Sequence, residues 1–141
     1  MIELNVHKKL RSASGEMSLE VNLEIERESF LTLYGKSGAG KTSLLRMLAG
    51  LLSPDRGRIT VNGGCWLDTG KGINLPPQKR RTGFVFQEPS LFPNMSVKEN
   101  LAFALGKRQD RKIIGELIEI TELGELQDRR PATLSGGQKQ R

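Results

Sequence analysis

The sequence predicts an α/β domain organised around a strand, a glycine-rich loop and a helix, and three neighbouring features predict it. Phe30-Leu31-Thr32-Leu33-Tyr34 is a short, mostly apolar run with the character of a strand buried on both faces of a parallel sheet. Gly35-Lys36-Ser37-Gly38-Ala39-Gly40-Lys41-Thr42 follows it directly. Leu44, Leu45, Leu48, Leu51 and Leu52 then recur at helical spacing until Ser53-Pro54-Asp55 stops them.

On the N-terminal side, Ile2, Leu4 and Val6 alternate with polar residues, as do Met17, Leu19, Val21, Leu23 and Ile25. That period of two predicts a pair of half-buried strands. After the leucine-rich helix, Gly57–Asn62 and Thr82–Phe86 read as further strands, separated by a Gly/Pro-rich stretch from Gly63 to Pro77. From Pro89 onward the pattern turns helical. Ser96 followed by Glu99 is a capping box that opens a helix through Leu105. Ile113, Ile114, Leu117, Ile118 and Thr121 mark a second amphipathic helix ending near Gly124. Pro131 to Gly137 reads as a loop, with another helix beginning at Gln138.

Composition bounds the chemistry. A length of 141 residues with 36% hydrophobic side chains suits one folded domain. The single Cys65 excludes an internal disulfide, and four Cys/His ligands for a structural zinc are not available. The longest apolar run near a helix, Met47–Leu52, falls far short of the ~20 residues that span a bilayer. Met1–Arg11 has no apolar core of the kind a secretory signal carries, so a soluble protein of a reducing, cytosolic compartment is expected. The net charge of +6 is uneven: residues 71–141 hold thirteen basic and eight acidic side chains, against nine and eight in residues 1–70. Lys79-Arg80-Arg81, Lys107-Arg108, Arg111-Lys112 and Arg129-Arg130 carry most of the excess. No aromatic residues interleave with these clusters and no nucleic-acid-binding module is present, so nucleic acid is not an expected partner.

The octapeptide at residues 35–42 matches G-x-x-x-x-G-K-[ST] in the strand-to-helix context that its mechanism requires. Its glycines let the backbone wrap around phosphates, its N–H groups form an anion nest, and the helix N-terminus adds partial positive charge. Lys41 is placed to reach β/γ-phosphate oxygens, and the Thr42 hydroxyl to ligate Mg²⁺. A glycine-rich turn that merely caps a helix is the plainer alternative. Leu134-Ser135-Gly136-Gly137-Gln138 admits two readings as well, a ligand-contacting loop or a flexible segment with an N-capping Ser135. Gln87, between Gly83-Phe84-Val85-Phe86 and Glu88-Pro89, is by itself an ordinary strand-end residue.

Taken together and in this order, these residues resemble the Walker A loop, Q-loop and LSGGQ signature of the ATP-binding cassette (ABC) ATPases. The resemblance implies an α/β P-loop NTPase core, here incomplete, with an antiparallel β-subdomain and an inserted α-helical subdomain. It divides the chain into a nucleotide-binding core at residues 1–87 and a helical subdomain at residues 88–141 that ends in the signature. It implies ATP and Mg²⁺ as cofactors, bound by Gly35, Lys36, Ser37, Gly38, Ala39, Gly40, Lys41, Thr42 and Ser43, with Thr42 and Gln87 toward the metal. Gln87 would also approach the attacking water as the catalytic side chain. Two cassettes would pair head-to-tail, so that Ser135, Gly136, Gly137 and Gln138 meet the nucleotide on the partner's loop. The segment after Gln87, through Phe92-Pro93, would contact transmembrane permease subunits, holding the protein on the cytoplasmic face of the membrane.

Within the family, Lys71–Arg81, Gly83–Gln87 and Leu91-Phe92-Pro93 look like importer ATPases. Ser37–Leu44 and Trp66-Leu67-Asp68 look most like those of molybdate-type importers, which points to transport of molybdate or a similar oxyanion. A soluble ABC protein of translation or DNA repair, or a non-catalytic nucleotide-binding fragment, are the alternatives. Two departures stand out. The region around Arg11-Ser12-Ala13, where many family members stack adenine on an aromatic ring, has none; His7 and Arg11 are the nearest groups able to stack or hydrogen-bond. Only Lys139, Gln140 and Arg141 follow the signature, so the family's Walker B carboxylates are not in this sequence, and little hydrolysis is expected of it alone.

Overall fold

The alternating segments at the N-terminus form a long antiparallel hairpin in the computed structural model, which describes residues 1–12, 15–88, 90–105 and 110–141. Strand β1 (Ile2–Ser12) pairs with β2 (Gly15–Ile25) from Ile2↔Ile25 to Ser12↔Gly15 without a register shift. β1 also pairs with β3 (Arg56–Val61), β3 with β4 (Gly64–Asp68), and β4 with the two-residue β5 (Ile73–Asn74). The five-stranded order is β2-β1-β3-β4-β5, antiparallel throughout. Leu4, Val6, Ile59 and Leu67 point to one face, where they pack with Leu44 and Met47 of helix α1 (Lys41–Ala49) at no more than 6% exposure each. Burial of this apolar surface, worth ~25 cal/mol per Å², is what holds α1 on the sheet.

Helix α1 ends at Gly50, whose left-handed conformation (φ 78°) lets its N–H turn back to the Met47 carbonyl. The Arg80 side chain completes that terminus. It is 1% exposed and donates to Met47 O and Leu48 O, both at 2.8 Å, to Leu75 O at 2.8 Å and to Asn74 Oδ1 at 3.0 Å. Its guanidinium also lies over the Trp66 ring, 5.8 Å from the centroid. Burial pushes its pKa below the ordinary arginine value, as expected for a cation whose acceptors are all neutral.

Several expectations need correction. Phe30–Tyr34 and Thr82–Phe86 are not strands, and no parallel sheet is present among the described residues. A strand exists only through its ladder, and no described strand lies beside Phe30–Tyr34; Phe30 and Tyr34 are 95% and 99% exposed, while Leu33 alone packs on the core. Conversely, the Gly63–Pro77 stretch contains β4 and β5. The overlooked signal is Asn62-Gly63: both residues have positive φ (52° and 79°), the two-residue turn that joins twisted antiparallel strands, here between paired Val61 and Gly64. Helix α1 stops at Ala49 rather than continuing to Leu52.

Residues Met1–Phe84 and Val85–Arg141 form separate compact units. In the second, α2 (Val97–Ala104) opens on the expected capping box: Ser96 Oγ accepts from Glu99 N at 3.2 Å, and Ser96 N donates to Glu99 Oε2 at 2.7 Å. Helix α3 (Lys112–Ile120) stops before Gly124, and α4 (Gly136–Gln140) starts two residues ahead of the expected Gln138. Val97, Ile114, Ile118, Leu123 and Leu134 form the core of this unit. Ala13, Pro89 and the Lys107-Arg108 pair lie outside the described residues.

One carboxylate ties the hairpin to the start of β3. Asp55 accepts from Lys8 Nζ at 2.6 Å and from the Lys9 N–H at 2.8 Å, and these bonds hold its pKa below the usual carboxylate value. A lowered folded-state pKa contributes stability above the unfolded value, about 3.9, and that contribution is lost as pH falls through the folded value. Urea midpoints measured down from pH 6 should therefore fall more steeply for the wild type than for Asp55→Asn, the two curves converging in acid. Parallel curves would remove Asp55 from the acid limb.

Candidate functional site

The glycine-rich loop joins the exposed 30–34 segment to α1, and its conformation follows from its glycines. Gly38 and Gly40 adopt φ 81° and 88°, which an L-residue with a side chain rarely does. At Gly40 there is a second constraint. An added Cβ would lie 3.0 Å from Leu19 Cδ2 and 3.3 Å from Leu10 Cδ1, so the loop lies against the β1–β2 hairpin and a methyl group there would require these side chains to give way.

Gly40 is also the N-cap of α1, and no side chain caps the helix there. The first helix-closing bond is Leu44 N to Gly40 O at 2.9 Å, which leaves the N–H groups of Lys41, Thr42 and Ser43 without intrahelical acceptors. No acidic residue occupies that first turn. Lys41 folds over its own loop, donating from Nζ to Gly35 O and Lys36 O, both at 2.7 Å. Three amide donors, the positive end of a helix and an ammonium thus gather on one exposed rim, the arrangement suited to a polyphosphate. The donor set also bears on Mg²⁺. Among the described residues no three His, Cys, Asp or Glu side chains cluster, and the side-chain oxygen donors at this loop are hydroxyls, the exposed Thr42 among them. A hard cation that keeps waters and takes phosphate oxygens fits such a site.

The other expected residues lie in the second unit. Ser135 N-caps α4 in a capping box with Gln138: Ser135 N donates to Gln138 Oε1 at 2.8 Å, and Gln138 N donates to Ser135 Oγ at 3.3 Å. The plainer reading, an N-capping serine, is therefore true of the chain, though it leaves the serine hydroxyl hydrogen and the glutamine NH₂ available. Gln87 sits in an exposed bend of the same unit. The structure thus gathers Gly35–Ser43 in one loop and Ser135–Gln138 in another, in different units.

His7 and Arg11 each have a neighbour on the hairpin. His7 Nε2 is 2.8 Å from Ser18 Oγ, and Arg11 Nε is 3.5 Å from Glu16 Oε1. Strand alternation puts both on the sheet face opposite Leu10, and it is Leu10 and Leu19 that border the loop. Leu19 belongs to the alternation already read from the sequence, and Leu10 continues that of β1 past Lys8.

Residues 19–141 match the ABC transporter family. The chain belongs to that family. Its relatives include the molybdenum import ATP-binding protein ModC of Brucella melitensis biotype 1, 48% identical over 134 residues that cover 94% of this chain and 37% of that protein. ModC of Shewanella sp. strain MR-7 is 40% identical across the whole chain and again 37% of its own length. The chain thus spans a little over a third of the curated relatives it matches. Among solved structures, the dimeric post-hydrolysis state of the ATP-binding cassette MJ0796 bound to ADP and Pi aligns with a TM-score of 0.73 at 30% identity, over 99% of this chain and 65% of that one. The cbiO1 protein from Clostridium perfringens, part of the ABC transporter complex cbiONQ, aligns at 0.66 and 26% identity, over 99% and 57% of the two chains. The fold class expected from the sequence holds: this is part of an ABC ATPase cassette, a mixed α/β chain with an antiparallel sheet.

Two outcomes follow for this ABC loop. Removing the ammonium in Lys41→Ala should cost about 1.5–3 kcal/mol, roughly a 10- to 150-fold loss of ATP affinity by calorimetry. Wild-type affinity would show that the loop is only a helix-capping turn. With aliphatic Leu10 and Leu19 bordering the loop at Gly40 and no aromatic residue in the sequence around Arg11, triphosphate contacts should dominate, and ATP and GTP should bind within roughly tenfold of each other, about 1.4 kcal/mol. A larger preference for ATP would require a base-reading group beyond this aliphatic pair.

Proposed function

We propose that the chain is the N-terminal part of an ABC importer ATPase that couples ATP binding and hydrolysis to uptake of molybdate or a similar oxyanion through a membrane permease. The observation that carries the reading is the uncapped α1 terminus with Lys41 folded across its loop. The 40–48% identity to proteins named for molybdenum import supports the substrate class. On this reading Gly35–Ser43 hold the triphosphate by backbone N–H groups and Lys41, and Thr42 faces Mg²⁺, which would neutralise charge on the transferring phosphoryl group. Gln87 would orient the attacking water, and the catalytic carboxylates would come from sequence beyond these residues.

The signature supports a head-to-tail pair. Added Cβ atoms at Gly136 and Gly137 would meet nothing within 4 Å, and neither residue has a positive φ, so no packing or turn in the chain requires glycine there. Each glycine costs up to about 1 kcal/mol relative to alanine in a helix. Bare backbone beside a pre-set Ser135 and Gln138 suits an anion approaching from outside, such as the γ-phosphate on a second cassette.

Permease docking has a candidate surface in the segment after Gln87. Phe92 and Phe103 meet edge-to-face with centroids 4.5 Å apart, yet remain 42% and 62% exposed. They border a cavity of about 370 Å³ also lined by Leu91, Leu101 and Leu117. Exposed aromatic surface of this kind marks an interaction site. No helix among the described residues is long and apolar enough to cross a membrane, and on the proposed reading the permease holds the cassette at the cytoplasmic face.

Ser135→Arg in the complete cassette tests the pairing. ATP binding by the monomer should be unchanged, while ATP-driven dimerisation, followed by size-exclusion chromatography, and steady-state turnover should both be lost. Normal dimerisation with normal turnover would remove the signature from the site.

A further inference from the structure

Arg80 lies at the end of α1 opposite the phosphate loop. Its NH1 donates to the last-turn carbonyls of Met47 and Leu48, its Nε and NH2 to Leu75 O and Asn74 Oδ1, and its plane lies over Trp66. One side chain therefore fastens the helix end to β4, to β5 and to the residue that follows it. The fit around it is tight, since a Cβ on Gly50 would fall 2.7 Å from Arg80 Nε. At the other end of α1 Leu44 packs on the sheet, but no side chain caps the helix, and the loop there is largely exposed. With nine residues, α1 is about 13 Å long, so a shift in where its C-terminal end is held would re-aim the N–H groups of Lys41, Thr42 and Ser43.

We propose that Arg80 is a positioning residue for nucleotide binding, holding the phosphate-binding end of α1 in place from the opposite end of the helix. The proposal rests on the reading of Gly35–Ser43 as the triphosphate site. Phosphate held by several backbone donors is sensitive to misplacement on the scale of 1 Å, which a loosened helix end would supply. A lysine keeps the charge but lacks the planar fork that reaches two helix carbonyls and a third acceptor together.

The test compares Arg80→Gln, Arg80→Lys and Ile59→Val in this chain, with Lys41→Ala alongside. Ile59→Val trims the core on which α1 packs while leaving Arg80 and the hydrogen bonds at both helix ends in place. ATP affinity is measured by calorimetry at a temperature where each variant is folded by circular dichroism, and the Gly38 and Gly40 amide resonances are recorded without nucleotide. Arg80→Gln should weaken ATP at least about tenfold and shift both resonances, with Arg80→Lys intermediate. Ile59→Val should lower the melting temperature yet keep ATP affinity within about twofold of wild type. Should Arg80→Gln fail to fold, Arg80→Lys and Gly50→Ala, which crowds the guanidinium, carry the same comparison. Wild-type affinity in the folded Arg80 or Gly50 variants, with Lys41→Ala impaired, would overturn the positioning role. An equal loss in Ile59→Val would do the same, by showing that stability alone is being read. If Lys41→Ala also bound normally, the triphosphate site itself would be in the wrong place.

Discussion

A buried guanidinium meeting the carbonyl end of one short helix is the contact on which the first unit depends. Taking that cation out of water costs several kcal/mol, and no carboxylate answers it. Charge-assisted bonds to four neutral oxygens and the negative end of the α1 dipole offset the cost. The asymmetry of buried polar groups makes the contact hard to give up, because without Arg80 the carbonyls of Met47, Leu48 and Leu75 would each lose the guanidinium, Met47 O keeping the Gly50 N–H. Gly50 at the helix end and the Trp66 ring under the guanidinium fit the same contact. The minimal strand β5 is held by it too, since Asn74 bonds Arg80 on one side and Ser53 Oγ on the other.

What the sequence made legible was what is encoded locally. Alternation at Ile2, Leu4 and Val6 and from Met17 to Ile25 is a property of each strand by itself, and it marked two half-buried strands that the structure extends and pairs as a hairpin. Ser96 with Glu99 is a four-residue signal, and it opened α2 where expected. The phosphate loop is contiguous, so its pattern survived intact. Arg80 was not legible in this way. Within Lys79-Arg80-Arg81 it reads as one of three solvated cations, and only the tertiary structure separates a 1% exposed side chain from its exposed neighbours. Phe30–Tyr34 failed for the opposite reason. Its apolar character is real, but strand formation is a property of a pair, and the ladder partner is not among the described residues.

The helix termini carry the last step. Helices α2 and α4 satisfy their first N–H groups with serine capping boxes, and at α3 the Lys112 N–H finds Asp110 Oδ1 at 3.0 Å. Only α1, among the described α-helices, begins without a side-chain acceptor, and it does so at a glycine held in the left-handed region. A serine or aspartate at that point would be worth ~1 kcal/mol to the helix, and it would fill the anion site with the protein's own oxygen. On the proposed reading phosphate oxygens would supply the missing acceptors, and the stability withheld from the free helix would return as binding affinity. The same reasoning explains why the far end of α1 is overbuilt. On that reading a helix whose first N–H groups are kept for a ligand is fastened from its other end, where the most deeply buried cation among the described residues lies.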